Sequence, residues 1–325
     1  MKQKLAFRVD ASKKVGIGHL IRLINLSKKL NLHSTWLVKG NKAYVNKYLP
    51  MNNKILYIKN SIDEEIAIRY LIKNNIKKII FDIAHKKNID KNADTKLIKI
   101  YKKNNFKIIS YEISTKRNLI SNISIVPYNL KKKVKAHNRN LLFTGPEYLG
   151  IKNSKKNKLK KIKKILVCIG GADIFNLGLR IFRLFLNTNY QITYISGQNK
   201  NKINLKNSKH HIFSHIKDIK KTIENTDLVV CGEGLIKYEA IYSNKPIFLT
   251  HQFERKSGLI KSFLEKEVCT SYKAKKINSH FKNKLIEYIN NTTLIQKHLN
   301  NQYLKFIKKN STLKFKKLIT EIKRL

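Results

Sequence analysis

Cysteine is scarce in this chain. Only Cys168, Cys231 and Cys269 occur among 325 residues, an odd number, far apart and without any Cys-x-x-Cys pair. That argues against a disulfide framework and against a cysteine-bound zinc site. Long apolar runs are missing too. No stretch nears the roughly 18 residues needed to span a bilayer, and the greasiest, such as 78–83, have the length of a strand. Residues 1–9 form a charged lead into a short strand, without the apolar centre of a secretory signal, so a cytoplasmic location is expected. Acidic residues are few: 20 stand against 69 Lys and Arg, a net charge of +49. Such a balance suggests a polyanionic partner, nucleic acid or an anionic membrane surface. Arginine, however, supplies only nine of the 69, and base readout and bidentate phosphate clamping favour Arg. The lysines scatter through every segment among Asn and Ile, which is the mark of a compositional bias. Clusters at 131–135 and 155–164 are the places left for a salt-sensitive anion patch. No helix-turn-helix or aromatic-interleaved RNA pattern accompanies the charge, so no specific nucleic-acid partner is expected. The histidines lack metal-ligand spacing, and neither a Gly-x-Ser-x-Gly elbow nor a Walker sequence occurs. No metal and no cofactor is expected.

What the chain does have is a core and a rhythm. Hydrophobic residues make up 42%, enough to rule out wholesale disorder. Short apolar, β-branched runs at 5–9, 35–38, 55–58, 78–83, 107–111 and 124–126 alternate with helical periodicity at 19–30, 63–74 and 94–103. A second series has strands at 165–169, 191–195, 211–214, 227–231 and 246–249, with helices at 177–186, 216–224, 235–243 and 258–266. This alternation is that of parallel α/β architecture. The expected fold is two Rossmann-like, doubly wound domains: 1–150, a polar linker at 151–164, and 165–325, the last including a basic helical C-terminus from about 293. In such sheets ligands bind outside the carboxyl ends of the strands, here in a cleft between domains.

Four loops carry candidate chemistry. After the first strand come Arg8, Asp10, Ala11 and Ser12, then Gly16-Ile17-Gly18-His19 opening a helix that contains Arg22. Glycines let backbone approach a ligand, and a helix N-terminus offers free N–H groups. The third glycine of the dinucleotide fingerprint is missing, and His stands just after the second. A helix N-terminus opposes a further positive charge, and neutral imidazole is the state a general base needs. A tight turn with His19 as a cap explains the same spacing equally well. The second loop, Gly170-Gly171-Ala172-Asp173 with Asn176, is a possible diphosphate cradle, or Asp173 is simply a helix cap. The third, Cys231-Gly232-Glu233-Gly234, leads to Glu239, a carboxylate that could accept two hydrogen bonds from a ribose diol or lie on a solvated face. The fourth holds His251, Gln252, Glu254 and Arg255 at a strand's carboxyl end.

Taken in order, Arg8-x-Asp10-Ala11-Ser12, Gly16-x-Gly18-His19, Arg22 and Leu26 resemble the N-terminal signature of the PseG/SpsG family. That family joins UDP-sugar hydrolases of pseudaminic acid biosynthesis with glycosyltransferases of the spore-coat polysaccharide type. Gly145-Pro146-Glu147-Tyr148, the Gly170–Asn176 turn, Glu239 and Gln252-x-Glu254-Arg255 are similar to further family positions, and the resemblance spans roughly residues 5–263. It implies a GT-B architecture like that of MurG-type enzymes, with UDP mainly on the second domain and the sugar facing the first. It implies metal-free hydrolysis of a UDP-diacetamido-trideoxyhexose, or transfer from the same donor; a basic polyanion-binding protein ranks third. His19 matches the catalytic histidine, with Asp10 and Arg22 beside it, Arg22 being placed to pair with phosphate. Gly16, Gly18, Tyr148, Gly170, Gly171, Asp173, Asn176, Gly234, Glu239, Gln252 and Glu254 are the expected substrate and UDP contacts. The chain departs from the family at Glu233-Gly234-Leu235-Ile236, where Gly-Gly-Ser-Thr or Gly-Gly-Arg-Thr is usual. A hydroxyl donor is lost there and a carboxylate added, and Lys237 and Lys256 are the cations at hand to compensate.

Overall fold

The first five described residues after the opening strand's start, Leu5 to Val9, are all fully or almost fully buried, the reason this run forms a central strand. The structure, a computed structural model, describes residues 4–12, 15–49, 53–83, 93–111, 120–128, 140–154, 161–170, 173, 175–197, 208–216, 218–251, 258–273, 277–307 and 311–325. They fall into two units, Met1–Gly150 with Ser311–Leu325, and Ile151–Asn310.

The first unit runs β1 (Lys4–Ala11), α1 (Gly18–Leu30), β2 (His33–Gly40), α2 (Lys42–Val45), β3 (Lys54–Tyr57), α3 (Ser61–Lys73), β4 (Lys78–Asp82), α4 (Ala93–Lys103), β5 (Lys107–Tyr111), β6 (Ile123–Val126) and β7 (Leu141–Thr144). Its strands form one parallel sheet in the order β3-β2-β1-β4-β5-β6-β7. Both faces are covered, which is why the strands read as apolar runs rather than alternations. Leu5, Phe7 and Val9 pack with Leu20, Leu23 and Leu26 of α1 on one face. Ala6 packs with Ala67, Leu71 and Ile98 of α3 and α4 on the other. A capping box between Asn60 and Asp63 starts α3.

The second unit runs β8 (Lys164–Cys168), α5 (Leu177–Leu184), β9 (Gln191–Ile195), β10 (His211–Phe213), α6 (Ile219–Glu224), β11 (Leu228–Cys231), α7 (Ile236–Tyr242), β12 (Ile247–His251), α8 (Gly258–Glu265), β13 (Thr270–Lys273), α9 (Ser279–Asn290) and α10 (Thr292–Gln302), followed by a π-helical turn at Tyr303–Ile307. Its parallel sheet has the order β10-β9-β8-β11-β12-β13. The last helix, α11 (Ser311–Arg324), packs on the first unit. This corrects the grouping of the C-terminal helix with the second half. Phe315, Leu318 and Ile322, spaced as one helical stripe, enter the α1-side core. Lys314 pairs with Glu147 at 2.8 Å, and Lys78 Nζ donates to the Lys323 carbonyl at 2.7 Å. Asparagine takes over work that glycine usually does: five of the six non-glycine residues with positive φ among those described are Asn.

Candidate active site

In each sheet the chain leaves one strand in one direction and returns on its other side, between β1 and β4 and between β8 and β11. Such switch points open a crevice at the carboxyl ends of the strands. At the first, Gly16 adopts φ 80°, accessible at low cost only to glycine, and its N–H closes onto the Ser12 carbonyl at 2.7 Å. The turn delivers Gly18 and His19 to the start of α1, and a Cβ at Gly18 would meet nothing within 4 Å.

Asp82, the last residue of β4, is fully buried and lies opposite Val9 of β1. His19 Nδ1 stands 2.6 Å from Asp82 Oδ1. A carboxylate oxygen only accepts, so Nδ1 carries the proton and Nε2 holds the lone pair of the neutral ring. Arg22, one turn further along α1, donates from Nε to Asp82 Oδ2 and from Nη2 to Oδ1. Two donors converging on Oδ1 account for the 2.9 Å between Arg22 Nη2 and His19 Nδ1. Arg22 also donates to the Tyr128 hydroxyl, and its guanidinium lies 5.4 and 5.6 Å from the Tyr111 and Tyr128 ring centres. Burial opposes ionisation of Asp82, yet the Arg22 charge and the hydrogen bonds from Arg22 and His19 overcome it and hold the carboxyl below its ordinary range. Arg22, expected to pair with phosphate, is thus committed to a buried carboxylate and is 3% exposed.

Strand alternation sends Arg8 and Asp10 to the opposite face, with Ala6. There Arg8 Nη1 donates to Asp10 Oδ1 at 3.0 Å, and Nε donates to Glu64 at 3.0 and 3.1 Å. The Tyr101 hydroxyl donates to Glu64 Oε1 at 2.6 Å. Burial and the adjoining Glu64 charge push the Tyr101 phenol far up. Burial lowers the Arg8 pKa, but Glu64 and Asp10 outweigh it and leave it raised. Asp10 is therefore held from behind by Arg8.

The second switch point is built differently. A Cβ at Gly232 would sit 2.3 Å from the Ile169 carbonyl oxygen, so the turns after β8 and β11 approach closely only because glycine stands there. Cβ positions at Gly170 and Gly234 face open space. Asp173 accepts from the N–H groups of Leu177 and Gly178 at 2.8 and 2.7 Å, occupying donors that a diphosphate would use. Its role is to start α5, with Asn176 exposed in the left-handed region at the cap. Burial raises the Asp173 pKa against these two bonds. Glu239, on α7, is half-buried, and its carboxylate has no hydrogen-bond or ionic partner among the described residues. Burial pushes it up to about 7. Burial likewise pushes the Cys168 thiol up to about 12, with Glu239 adding to it, and keeps all three cysteines protonated.

Tyr148 corrects another expectation. It is 7% exposed, stacks edge-on against Phe143 at 5.4 Å, and its carbonyl accepts from the Tyr111 hydroxyl, so it belongs to the first unit's core. Gly171, Gln252 and Glu254 lie outside the described residues.

Acinetobacter baumannii MurG superposes with a TM-score of 0.64 at 10% identity, covering 99% of this chain and 100% of that one. The Anabaena protein Alr3699/HepE, in complex with UDP and glucose, gives 0.64 at 12% identity over 99% and 100%. Arabidopsis thaliana UGT89C1, complexed with quercetin, gives 0.65 at 10% identity over 99% and 100%. The fold is of the GT-B type. In sequence, the GT-B chain matches the uncharacterized protein MJ1062 of Methanocaldococcus jannaschii at 25% identity over 294 residues. That match takes in 81% of this chain and only 58% of MJ1062. No family model matches, so the PseG/SpsG resemblance stands on its motifs. Among the described residues no helix of this GT-B chain is long and apolar enough to cross a membrane, and no three metal-ligating side chains converge.

Asp82 is the functional candidate that sequence reasoning passed over. Its signal was present: an acid closing the wholly apolar run Ile79-Ile80-Phe81, at the carboxyl end of the strand beside β1.

Proposed function

We propose that this protein is a glycosyltransferase that uses a nucleotide-sugar donor, with His19 as the base that takes the proton from an acceptor hydroxyl. The observation that carries this reading is the buried Asp82 carboxylate bonded to His19 Nδ1 at the β1/β4 switch point. A carboxylate behind an imidazole fixes its tautomer and stabilises the imidazolium that forms, as in hydrolytic triads. As the acceptor oxygen bonds to the anomeric carbon, its proton passes to Nε2. The bond from that carbon to the diphosphate oxygen breaks, and its electron pair leaves with the nucleotide. Arg22 holds Asp82 in place. In the second unit the unpartnered carboxylate of Glu239 is the group suited to a ribose diol, and the open turns at Gly170 and Gly234 leave room for phosphates. The GT-B fold, shared with Alr3699/HepE in its UDP and glucose complex, supports a UDP-linked donor.

Hydrolysis is the second reading, favoured by the order of the N-terminal motif, since the same imidazole can take a proton from water. Incubation with a panel of UDP-sugars separates the two. Release of UDP only when a carbohydrate acceptor is added supports transfer; prompt release without one supports hydrolysis. No release under either condition, across the panel, overturns the nucleotide-sugar assignment.

A further inference from the structure

Lys237 breaks two rules at once. It is fully buried, and it stands in the first turn of α7, where the helix dipole disfavours a cation. Its Nζ donates to the Glu233 main-chain carbonyl and lies 5.0 Å from the Phe263 ring centre and 5.3 Å from that of Tyr238. Among the described residues no carboxylate is bonded to it; Glu233 acts on it through space. Burial lowers its pKa to about 8, while the Glu233 charge pulls the other way. An interior cation kept at such cost for one carbonyl and two ring faces calls for a reason beyond packing.

The reason lies on the other edge of the same peptide. In a trans peptide the C=O and N–H point in opposite directions. With the Glu233 carbonyl tied inward to Lys237, the Gly234 N–H faces away from it, has no partner among the described residues, and adjoins open space at Gly234. A cation on the carbonyl polarises that peptide and strengthens its N–H as a donor. It also offsets the Glu233 carboxylate, which would otherwise repel an anion at this turn.

We propose that Lys237 is a positioning residue for the diphosphate of a nucleotide ligand: from inside the unit it sets the Glu233–Gly234 peptide and supplies the positive charge beneath it. This rests on the nucleotide reading of the second unit and adds to it a cation in place of the missing hydroxyl donor. The test is calorimetric titration of UDP and of uridine, at one pH and ionic strength, into the full-length protein and into Lys237→Met. The expected result is a loss of about tenfold in UDP affinity with uridine affinity changed less than twofold. An equal loss for both ligands, or none for UDP, overturns the positioning role while leaving the nucleotide reading intact. Failure of the unaltered protein to bind either ligand overturns that reading and this one with it. Should Lys237→Met not fold, Lys237→Gln, which drops the charge but keeps a donor, decides by the same ratio.

Discussion

The two switch points of this protein treat charge in opposite ways. At β1/β4 the ionisable side chains are cross-braced: Asp82 receives Arg22 and His19, and Arg8 joins Asp10 to Glu64 and Tyr101. At β8/β11 they are set singly: Glu239 has no partner among the described residues, and Lys237 has one carbonyl. The contrast fits the division of labour proposed here. A base must be held in one tautomer and one orientation before the substrate arrives, and a carboxylate already bonded to it does that. A group that binds a ligand must be left unsatisfied until the ligand supplies its partner, and the folded protein bears the desolvation cost meanwhile. Under that proposal, pre-paired charge belongs to the chemical half and deferred pairing to the binding half.

Four substitutions test that contrast, beginning with the largest expected effect. His19→Ala should lower kcat by about two to four orders of magnitude, with little change in the melting transition because the ring is only half-buried; undiminished turnover would remove it from the reaction. Asp82→Ala strands the Arg22 guanidinium in the interior, and denaturant titration should show a loss of about 3–5 kcal/mol. A loss under 1 kcal/mol would mean that the cross-bracing is incidental. Glu239 predicts the reverse sign. Its carboxyl is raised in the fold from 4.5 to about 7, so the folded state holds this proton more tightly and loses stability as pH climbs between those values. Glu239→Gln should therefore stabilise by about 2–3 kcal/mol at pH 8, and the gain should vanish near pH 4. A constant gain across that range would separate Glu239 from the effect. Finally, Glu239→Ala should weaken binding of a UDP-sugar by about 1–3 kcal/mol. The unaltered protein's affinity should rise between pH 6 and 8 as the carboxylate forms, whereas that of the variant should stay flat. A flat profile in both would return Glu239 to a structural role.

The architecture was legible because it depends on local signals. Strands buried on both faces read as apolar runs, and α1, α3 and α5 carry helical periodicity, so their places were visible in sequence. The edge strands β7 and β13 were not: β7 offers only the three apolar residues Leu141-Leu142-Phe143 before Thr144, and β13, Thr270-Ser271-Tyr272-Lys273, has no apolar run at all. The site was legible in part. His19 stood out through its glycines, and Glu239 through its place after a Gly-Glu-Gly turn. Asp173 and Tyr148 sit in motif-like turns, yet one is spent on a helix start and the other on the core. A motif reports spacing, and spacing does not say which way a side chain turns.

From the residues alone came the parallel α/β plan, the two halves and the histidine at the first turn, because apolar periodicity and glycine placement act within a few residues of themselves. Only the folded chain decided that Asp82 stands behind His19 and that Arg22 belongs to it. It also decided that the C-terminal helix returns to the first unit and that a lysine is sealed under the Glu233 turn. Those pairings join residues separated by 60 or more positions, or depend on which face of a sheet or helix is covered. Nothing in a linear order of residues encodes that until the strands have taken their places side by side.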